Sequence, residues 1–441
     1  MAKPIRLIAG AMMLCSALAA TADVNRFLED LEANGASADE LQRFEALYVE
    51  APDALRARFD SSSKEDLKGF LSYQRTAWAN QDRNPLLAIG SALPDFSLTG
   101  VDGKTYTPES FSHAKLLVVA FITNHCPASQ MYEERLKQLI VDYRKRGVAF
   151  VAIQPDAPEA AAPSEHGFTD VEDDFDGMVE RARHRQFDFP YLDDGEEQAL
   201  SAAFGPKVTP HVFVFDEQRV LRYEGRIDNH LRAEKATTHE ARDALDALLA
   251  GREVEKAHTP VFGCSVKWRD QIQGADKERK DWAALPVEVK PVSLSDLTEL
   301  RAAPPGKQLT IINMWATWCG PCRVEMPELV KSYQWYRSRG VELVTVALDA
   351  PASREQVFSF LQEVHAPSIN LQVDTDDFFA VQAAFDSQWQ SGVPYTLVLD
   401  RFGSVVFRHE GEVNILAMRR AILAHLDEPG IFEGNADYWR N

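Results

Sequence analysis

The chain has 441 residues, 45% hydrophobic and 26% charged, enough for two or three domains that each bury a core. Its formal net charge is −20, and removing Lys3 and Arg6 with the leader described below takes it to −22. This acidity excludes nucleic-acid binding and docking on anionic lipid, both of which require basic patches, and it serves solubility.

Residues 1–22 read as a secretory signal: Lys3 and Arg6 open it, Leu7 to Ala20 form an apolar core, and Ala20-Thr21-Ala22 is a small-residue cleavage site. The core is too short to span a bilayer. The expectation is therefore a periplasmic or secreted protein with no stable membrane insertion after signal removal. Cys15 lies inside this core and leaves with it, because Met13-Leu14 lacks the small residue that precedes a lipoprotein cysteine. The mature chain keeps Cys126, Cys264, Cys319 and Cys322. They are too sparse for a disulfide scaffold, so each needs its own explanation.

Residues 23–87 carry helical periodicity without strand patterns. Val24, Phe27, Leu28 and Leu31 form one apolar face, Leu41, Phe44, Leu47 and Tyr48 a second, and Leu67, Phe70, Leu71 and Tyr73 a third. Pro52-Asp53 and Ser61 to Ser63 punctuate them, and the expectation is a small all-α segment capping the next domain.

From residue 88 strands, turns and helices alternate. Pro94 to Leu98 and Asp102-Gly103 predict a hairpin, and Leu116 to Phe121 a buried strand leading into Thr123-Asn124-His125-Cys126-Pro127. The helix that follows carries Tyr132, Leu136, Leu139, Ile140 and Tyr143 on one face and stops at Gly147. Val148 to Ile153 is the next strand. Residues 158–185 form an insertion whose acidic run, Asp170 to Asp176, predicts a solvated helix start. A helix from Glu196 to Phe204 then precedes Thr209-Pro210 and the strand ending at Asp216.

The same order recurs. Ile311 to Trp315 leads into Trp318-Cys319-Gly320-Pro321-Cys322, and a helix with Met326, Leu329, Val330, Tyr333 and Tyr336 on one face stops at Gly340. Val393-Pro394 then precedes a strand ending at Asp400. In both copies an aspartate falls six positions after the proline, and a hairpin ends in Glu-Gly, at Glu224-Gly225 and Glu410-Gly411. This duplication predicts two tandem α/β domains, residues 88–251 and 291–428. Residues 252–290 are expected to link them and to carry Cys264, and 429–441 to form a tail.

Two cysteines at i, i+3 between a strand and a helix point to redox chemistry. The first sits where unpaired helix N–H groups favour a thiolate, and the second can close a small disulfide once the first has been attacked. A structural zinc site would need a second pair with ligand spacing, which is missing. The histidines lack ligand spacing too, and no phosphate loop appears, so neither a metal site nor a cofactor is expected.

Trp315-Ala316-Thr317-Trp318-Cys319-Gly320-Pro321-Cys322 resembles the active site of TlpA/ResA-type thioredoxins. The resemblance implies the thioredoxin fold, central mixed sheets flanked by helices. It implies a thiol–disulfide oxidoreductase in which Cys319 is an exposed nucleophile, Cys322 resolves, and Cys319–Cys322 is the redox disulfide. Trp318, Pro321, Val393 and a cis Pro394 would face a disulfide-containing protein substrate, which pairs on the exposed backbone edge. The Gly-Pro dipeptide matches reducing thioredoxins and favours a reductase, refilled by a membrane-bound electron donor. Asn313 replaces the buried aspartate of cytoplasmic thioredoxin; Glu325 is a candidate substitute, but the expectation for it is an exposed surface glutamate.

Asn124-His125-Cys126-Pro127, Thr209-Pro210-His211, Tyr223 to Asp228 and Gly263 to Trp268 resemble bacterial redoxin-domain proteins, relatives of the alkyl-hydroperoxide-reductase and thiol-specific-antioxidant group. This resemblance implies a redoxin-type first domain with Cys126 as its redox thiol, Thr209 and Pro210 facing it, and Cys264 as its distant partner. His125 raises the Cys126 thiolate fraction only if the turn folds its ring back. A thiol peroxidase centred on Cys126 is one alternative, since Thr123-x-x-Cys126-Pro127 looks like a peroxiredoxin loop. Two departures weaken it: Val119 stands where that loop has a proline, and Thr209-Pro210 displaces the expected arginine. A non-catalytic client-binding protein is the other alternative.

Overall fold

The computed structural model describes residues 28–50, 84–195, 197–302, 307–390, 392–426 and 432–440. It forms two units, residues 1–83 and 84–441. In the first, a helical stretch at 28–33 precedes α1 (Ala38–Glu50). Ser37 and Glu40 cap α1 reciprocally, Glu40 N–H donating to the Ser37 hydroxyl and Ser37 N–H to the Glu40 carboxylate at 2.7 Å. Leu31 and Phe44 are buried. The third expected helical face, at Leu67 to Tyr73, lies outside the described residues, as do the secretory signal and the Pro52-Asp53 and Ser61 to Ser63 breaks.

The second unit contains two sheets built to one plan. In the first, β1 (Leu98–Gly100) and β2 (Thr105–Tyr106) form the expected hairpin. β3 (Leu116–Phe121), β4 (Val148–Gln154) and β5 (Tyr191–Asp193) run parallel, and β7 (His211–Phe215) and β8 (Leu221–Gly225) return antiparallel, giving the order β2-β1-β5-β4-β3-β7-β8. The short β6 (Val208–Thr209) lies outside this sheet and pairs with β9 (Cys264–Ser265). In the second sheet β10 (Lys290–Val292), β13 (Ile369–Val373), β12 (Val341–Ala347) and β11 (Leu309–Trp315) are parallel. β14 (Tyr395–Asp400) and β15 (Val405–Glu410) are antiparallel, and each terminal hairpin carries a register shift at the matching place.

β3 is apolar throughout, β11 is apolar but for Thr310 and Asn313, and both are buried on both faces, as central strands covered by helices must be. Each sheet accordingly has a core on either side. The helices that matter for function are α2 (Pro127–Arg144), α3 (Phe175–His184) and α4 (Ala199–Phe204) in the first copy and α8 (Gly320–Tyr336) in the second. Between them in the chain come α5 (Glu240–Leu249), α6 (Ile272–Ala283) and α7 (Leu294–Ala302). α9 (Arg354–Glu363), α10 (Phe378–Phe385), α11 (Ile415–His425) and α12 (Asn435–Arg440) complete the unit. Gly147 and Gly340 follow α2 and α8 with φ of +88° and +81°, the left-handed conformation that ends a helix cheaply only at glycine.

One expectation about the connections needs correction, and two further segments carry more structure than a link and a tail. The acidic run is solvated only in part: Asp176 is exposed, but Asp170 and Asp173 are fully buried, and the helix start is as expected, with Asp174 capping α3. Each buried carboxylate has a cationic partner from elsewhere in the chain, which local charge density cannot reveal. The 252–290 segment is no loose linker, because residues 257–269 bind along the first sheet domain through Glu224, Asp156 and Gln198. The tail folds as α12 against α2, with the Tyr438 hydroxyl donating to Glu133 at 2.7 Å and Asn435 Nδ2 to Gln130 at 2.9 Å.

The insertion also joins the two copies. His166 stacks on Trp335 with centroids 4.8 Å apart, the Tyr336 hydroxyl donates to the Thr169 carbonyl at 2.6 Å, and Arg339 Nη1 to that of Gly167 at 2.8 Å. Asp170 lies between Arg181 of α3 and Arg420 of α11, at 2.7 and 2.6 Å.

Candidate functional site

β11 delivers the chain to a turn at residues 316–319 that Asp349 holds, accepting from the Thr317 N–H at 2.9 Å and from the Thr317 hydroxyl. Cys319 is the N-cap of α8, its sulfur 3.2 Å from the Cys322 N–H, so it stands among the unpaired donors of a helix start. Pro321 occupies the first turn, where a missing N–H costs nothing. Cys319 and Cys322 are joined by a disulfide. Val393–Pro394 is cis, and the Val393 carbonyl oxygen lies 3.6 Å from Cys319 Sγ. The expected exposure of the nucleophile needs correction: in this disulfide form Cys319 is 5% exposed. Trp318, at 67%, presents the surface beside it, because the N-cap position and the Val393 backbone cover the sulfur.

Glu325 is not the exposed side chain expected but 3% exposed. It lies three residues past Cys322 and so shares that residue's helix face, toward the sheet. Asn313 Nδ2 donates to Oε1 at 2.9 Å, and the Val413 N–H to Oε2 at 2.7 Å. Burial pushes the carboxyl up; these two bonds offset part of the effect and the charge of Glu412 adds to it, leaving a pKa of about 7.

The first copy repeats the geometry with one thiol fewer. Cys126 caps α2 and accepts from the Ser129 N–H at 3.4 Å; Ser129 stands where Cys322 stands in the other copy. Thr209–Pro210 is cis, and the protonated Cys126 thiol donates to the Thr209 carbonyl at 3.0 Å. Cys264, half-buried, faces Thr209 across the β6–β9 pair, and its thiol interacts with that of Cys126. Burial alone would raise the Cys126 pKa. The Cys264 thiol, the His125 charge, the Ser129 N–H and the Thr209 hydroxyl outweigh it and bring the pKa down to about 5.

The turn does fold His125 back into the protein. Its Nδ1 lies 2.5 Å from Asp173 Oδ2 and 3.6 Å from Asp156 Oδ2. Burial disfavours the imidazolium, but these carboxylates outweigh it and hold His125 protonated well above the usual histidine range. Asp156, buried beside Asp173, is pushed up, so the group shares its protons. The three ligand atoms lie within 4.8 Å of one another, a donor set of a kind that holds metal ions; His125 Nδ1 and Asp173 Oδ2 are paired at 2.5 Å, while Asp156 Oδ2 and His125 Nε2 are buried without a hydrogen-bond partner. Spacing gave no sign of this group, because His125 comes from the β3–α2 turn and Asp156 and Asp173 from opposite ends of the β4–α3 connection. One signal was available: Asp156 follows Cys126 by 30 residues and Asp349 follows Cys319 by 30, so the duplication marks an aspartate near each cysteine turn, although in the first copy it is Asp173 that accepts from the turn's Asn124 and His125 N–H groups.

Two α/β domains of one topology, each with a cysteine N-cap facing a cis X–Pro bond, define a tandem thioredoxin-like protein. A model of the AhpC/TSA family matches residues 89–224 and 275–408, more than half of the chain, and the chain belongs to that family. Among curated proteins it is similar to the thiol-disulfide oxidoreductase ResA of Bacillus subtilis (strain 168), 32% identical over 117 residues, which is 26% of this chain and 56% of that protein. It is also similar to the thiol:disulfide interchange protein HelX of Rhodobacter capsulatus, 32% identical over 105 residues, covering 24% and 53%. The chain thus spans about half the length of these curated relatives. A solved structure of a hypothetical protein from Sinorhizobium meliloti 1021 is 30% identical, with a TM-score of 0.37, covering 41% of this chain and 94% of its own.

Proposed function

We propose that the protein is a thiol–disulfide oxidoreductase that reduces disulfides of protein clients outside the cytoplasm, through Cys319 and Cys322. The observation that carries this reading is the Cys319–Cys322 disulfide at a helix N-terminus with the buried Glu325 behind it. The names of the ResA and HelX relatives support it. In the reduced protein the Cys319 thiolate attacks one sulfur of a client disulfide, and the other client sulfur leaves as a thiolate. Cys322 passes its proton to the Glu325 carboxylate and attacks Cys319 Sγ; the second client sulfur departs and takes up a proton. Two electrons pass to the client, and the disulfide of this structure is the spent form. Trp318 and the Val393 backbone are the client-facing surfaces.

Export rests on the leader reading of residues 1–22; among the described residues no helix is long and apolar enough to cross a membrane. An oxidising compartment would require a membrane-bound donor to restore the dithiol. The test is reduction of a model disulfide by the dithiol protein. Cys319→Ser is expected to abolish it and Cys322→Ser to trap a mixed disulfide at Cys319. A Cys319→Ser protein working at the wild-type rate overturns the assignment.

A further inference from the structure

One difference between the two copies lies on the backbone edge beside the cis proline. In the second, the backbone at Val393 has no strand paired to it among the described residues. In the first, the corresponding residue, Thr209, is 1% exposed because β9 lies antiparallel on it, Thr209 opposite Cys264 and Val208 opposite Ser265. The chain has placed its own extended segment on the edge that the other copy leaves open. The contact is too close for any residue but glycine just before the cysteine: a Cβ at Gly263 would stand 2.0 Å from the Thr209 carbonyl oxygen. The segment is anchored beyond β9, where the Lys267 N–H donates to Asp156 Oδ1 at 2.8 Å and its carbonyl accepts from the Ala157 N–H and from Gln198 Nε2, each at 2.9 Å.

We propose that Cys126 and Cys264 form a second, reversible dithiol–disulfide couple, in which β9 acts as a built-in substrate strand that closes this edge to protein clients and leaves it to low-molecular-weight disulfides. Two residues of ladder are a weak attachment, so β9 detaches locally and exposes Cys126. The Cys126 thiolate attacks one sulfur of the small disulfide, forming a mixed disulfide and releasing the other half as a thiolate. β9 re-docks, the Cys264 thiol loses its proton and its sulfur attacks Cys126 Sγ. The second half leaves as a thiol with that proton, so two protein thiols are oxidised and one small disulfide is reduced. The order of attack follows from the surroundings. The interaction with Cys126, burial and the Cys126 charge all hold the Cys264 thiol protonated, and the first and last of these vanish once Cys126 is in a neutral mixed disulfide. The Lys267 charge then favours ionisation of Cys264.

The test uses the full chain with Cys319→Ser and Cys322→Ser, so its outcome is independent of the oxidoreductase proposed above. The protein is equilibrated in glutathione buffers of increasing oxidised fraction, quenched with acid, alkylated and mapped by mass spectrometry. The expected result is a Cys126–Cys264 disulfide that grows with the oxidised fraction and reverts with dithiothreitol. Adding Cys264→Ser is expected to leave glutathione on Cys126 instead. Adding Gly263→Ala, which shifts the cysteine by the scale of an ångström, is expected to lower the intramolecular closure rate about 100-fold while Cys126 still accepts glutathione. Either of two results would overturn the proposal: both thiols staying alkylatable at every buffer ratio, or separate glutathione adducts on an unaltered β9 with no cross-link between them.

Discussion

At position 325 a carboxyl that sequence reasoning placed in solvent is held between an asparagine amide and a backbone N–H. Its pKa, raised from 4.5 to about 7 chiefly by burial, sets a pH dependence with a definite sign. Between those values the folded protein keeps a proton that the unfolded chain has lost. The stability contributed by this group is therefore fully present below pH 4.5 and is lost as pH rises through about 7. Glu325→Gln should accordingly gain stability relative to the parent between pH 5 and pH 8, read from urea midpoints at both values, because the glutamine carries no charge to desolvate. The buried Oδ1 of Asn313, which has no hydrogen-bond partner, can accept from the new amide if the asparagine flips. The same variant should lose an inflection near pH 7 in the rate of disulfide exchange. An unchanged rate profile would remove Glu325 from the proton path. Cys126 offers the converse case: in the Cys319→Ser/Cys322→Ser protein its thiolate absorbance at 240 nm should appear with a midpoint near pH 5, and a midpoint at 8 to 9 would show that the His125 charge does not reach it.

Among the elements, α3 shows how a short helix can carry a disproportionate share of the architecture. Asp174 caps it by accepting from the Gly177 N–H at 2.8 Å, and about two turns later it presents Arg181 to the join between the two copies. Asp174→Ala should cost about 1 kcal/mol, the usual loss of a capping oxygen, seen as a lower urea midpoint. A change within 0.2 kcal/mol would show the cap to be replaced by water. The helix start was legible in the sequence, as an acidic run from Asp170 to Asp176. The burial of its neighbours Asp170 and Asp173 was not, because the arginines and histidine that compensate them lie up to 250 residues away. The strands were more legible still: β3 is a continuous apolar run, and β11 is one broken only by Thr310 and Asn313, as a doubly covered central strand requires.

For the whole second unit, cohesion between the copies depends on a buried carboxylate held by two guanidinium groups. Arg181 and Arg420 outweigh the burial of Asp170 and keep its pKa below the ordinary carboxylate value of 3.8. A depressed acid stabilises above its unfolded pKa and ceases to do so as pH falls through its folded one. The join should therefore hold at neutral pH and weaken only in acid below about pH 4. Asp170→Ala leaves the buried Arg181 without its carboxylate, while Arg420 keeps Glu180 at 2.7 Å, and should cost about 3–5 kcal/mol. Because the loss falls on one join, thermal unfolding of the variant should split into two transitions, and a single transition at the parent temperature would show that the aromatic and tail contacts suffice.

The order of apolar runs, glycine stops and cysteine N-caps determined the secondary structure and the duplication of the α/β plan. Those features are local, since each turn or strand satisfies its own backbone within a few residues. Only the tertiary structure decided which charges are buried, that the 252–290 segment closes over the first cysteine, and that Glu325 points inward. Each of these depends on partners brought together from distant parts of the chain, and the free energy of burying a polar group is set by the partner it finds, which sequence neighbours do not disclose.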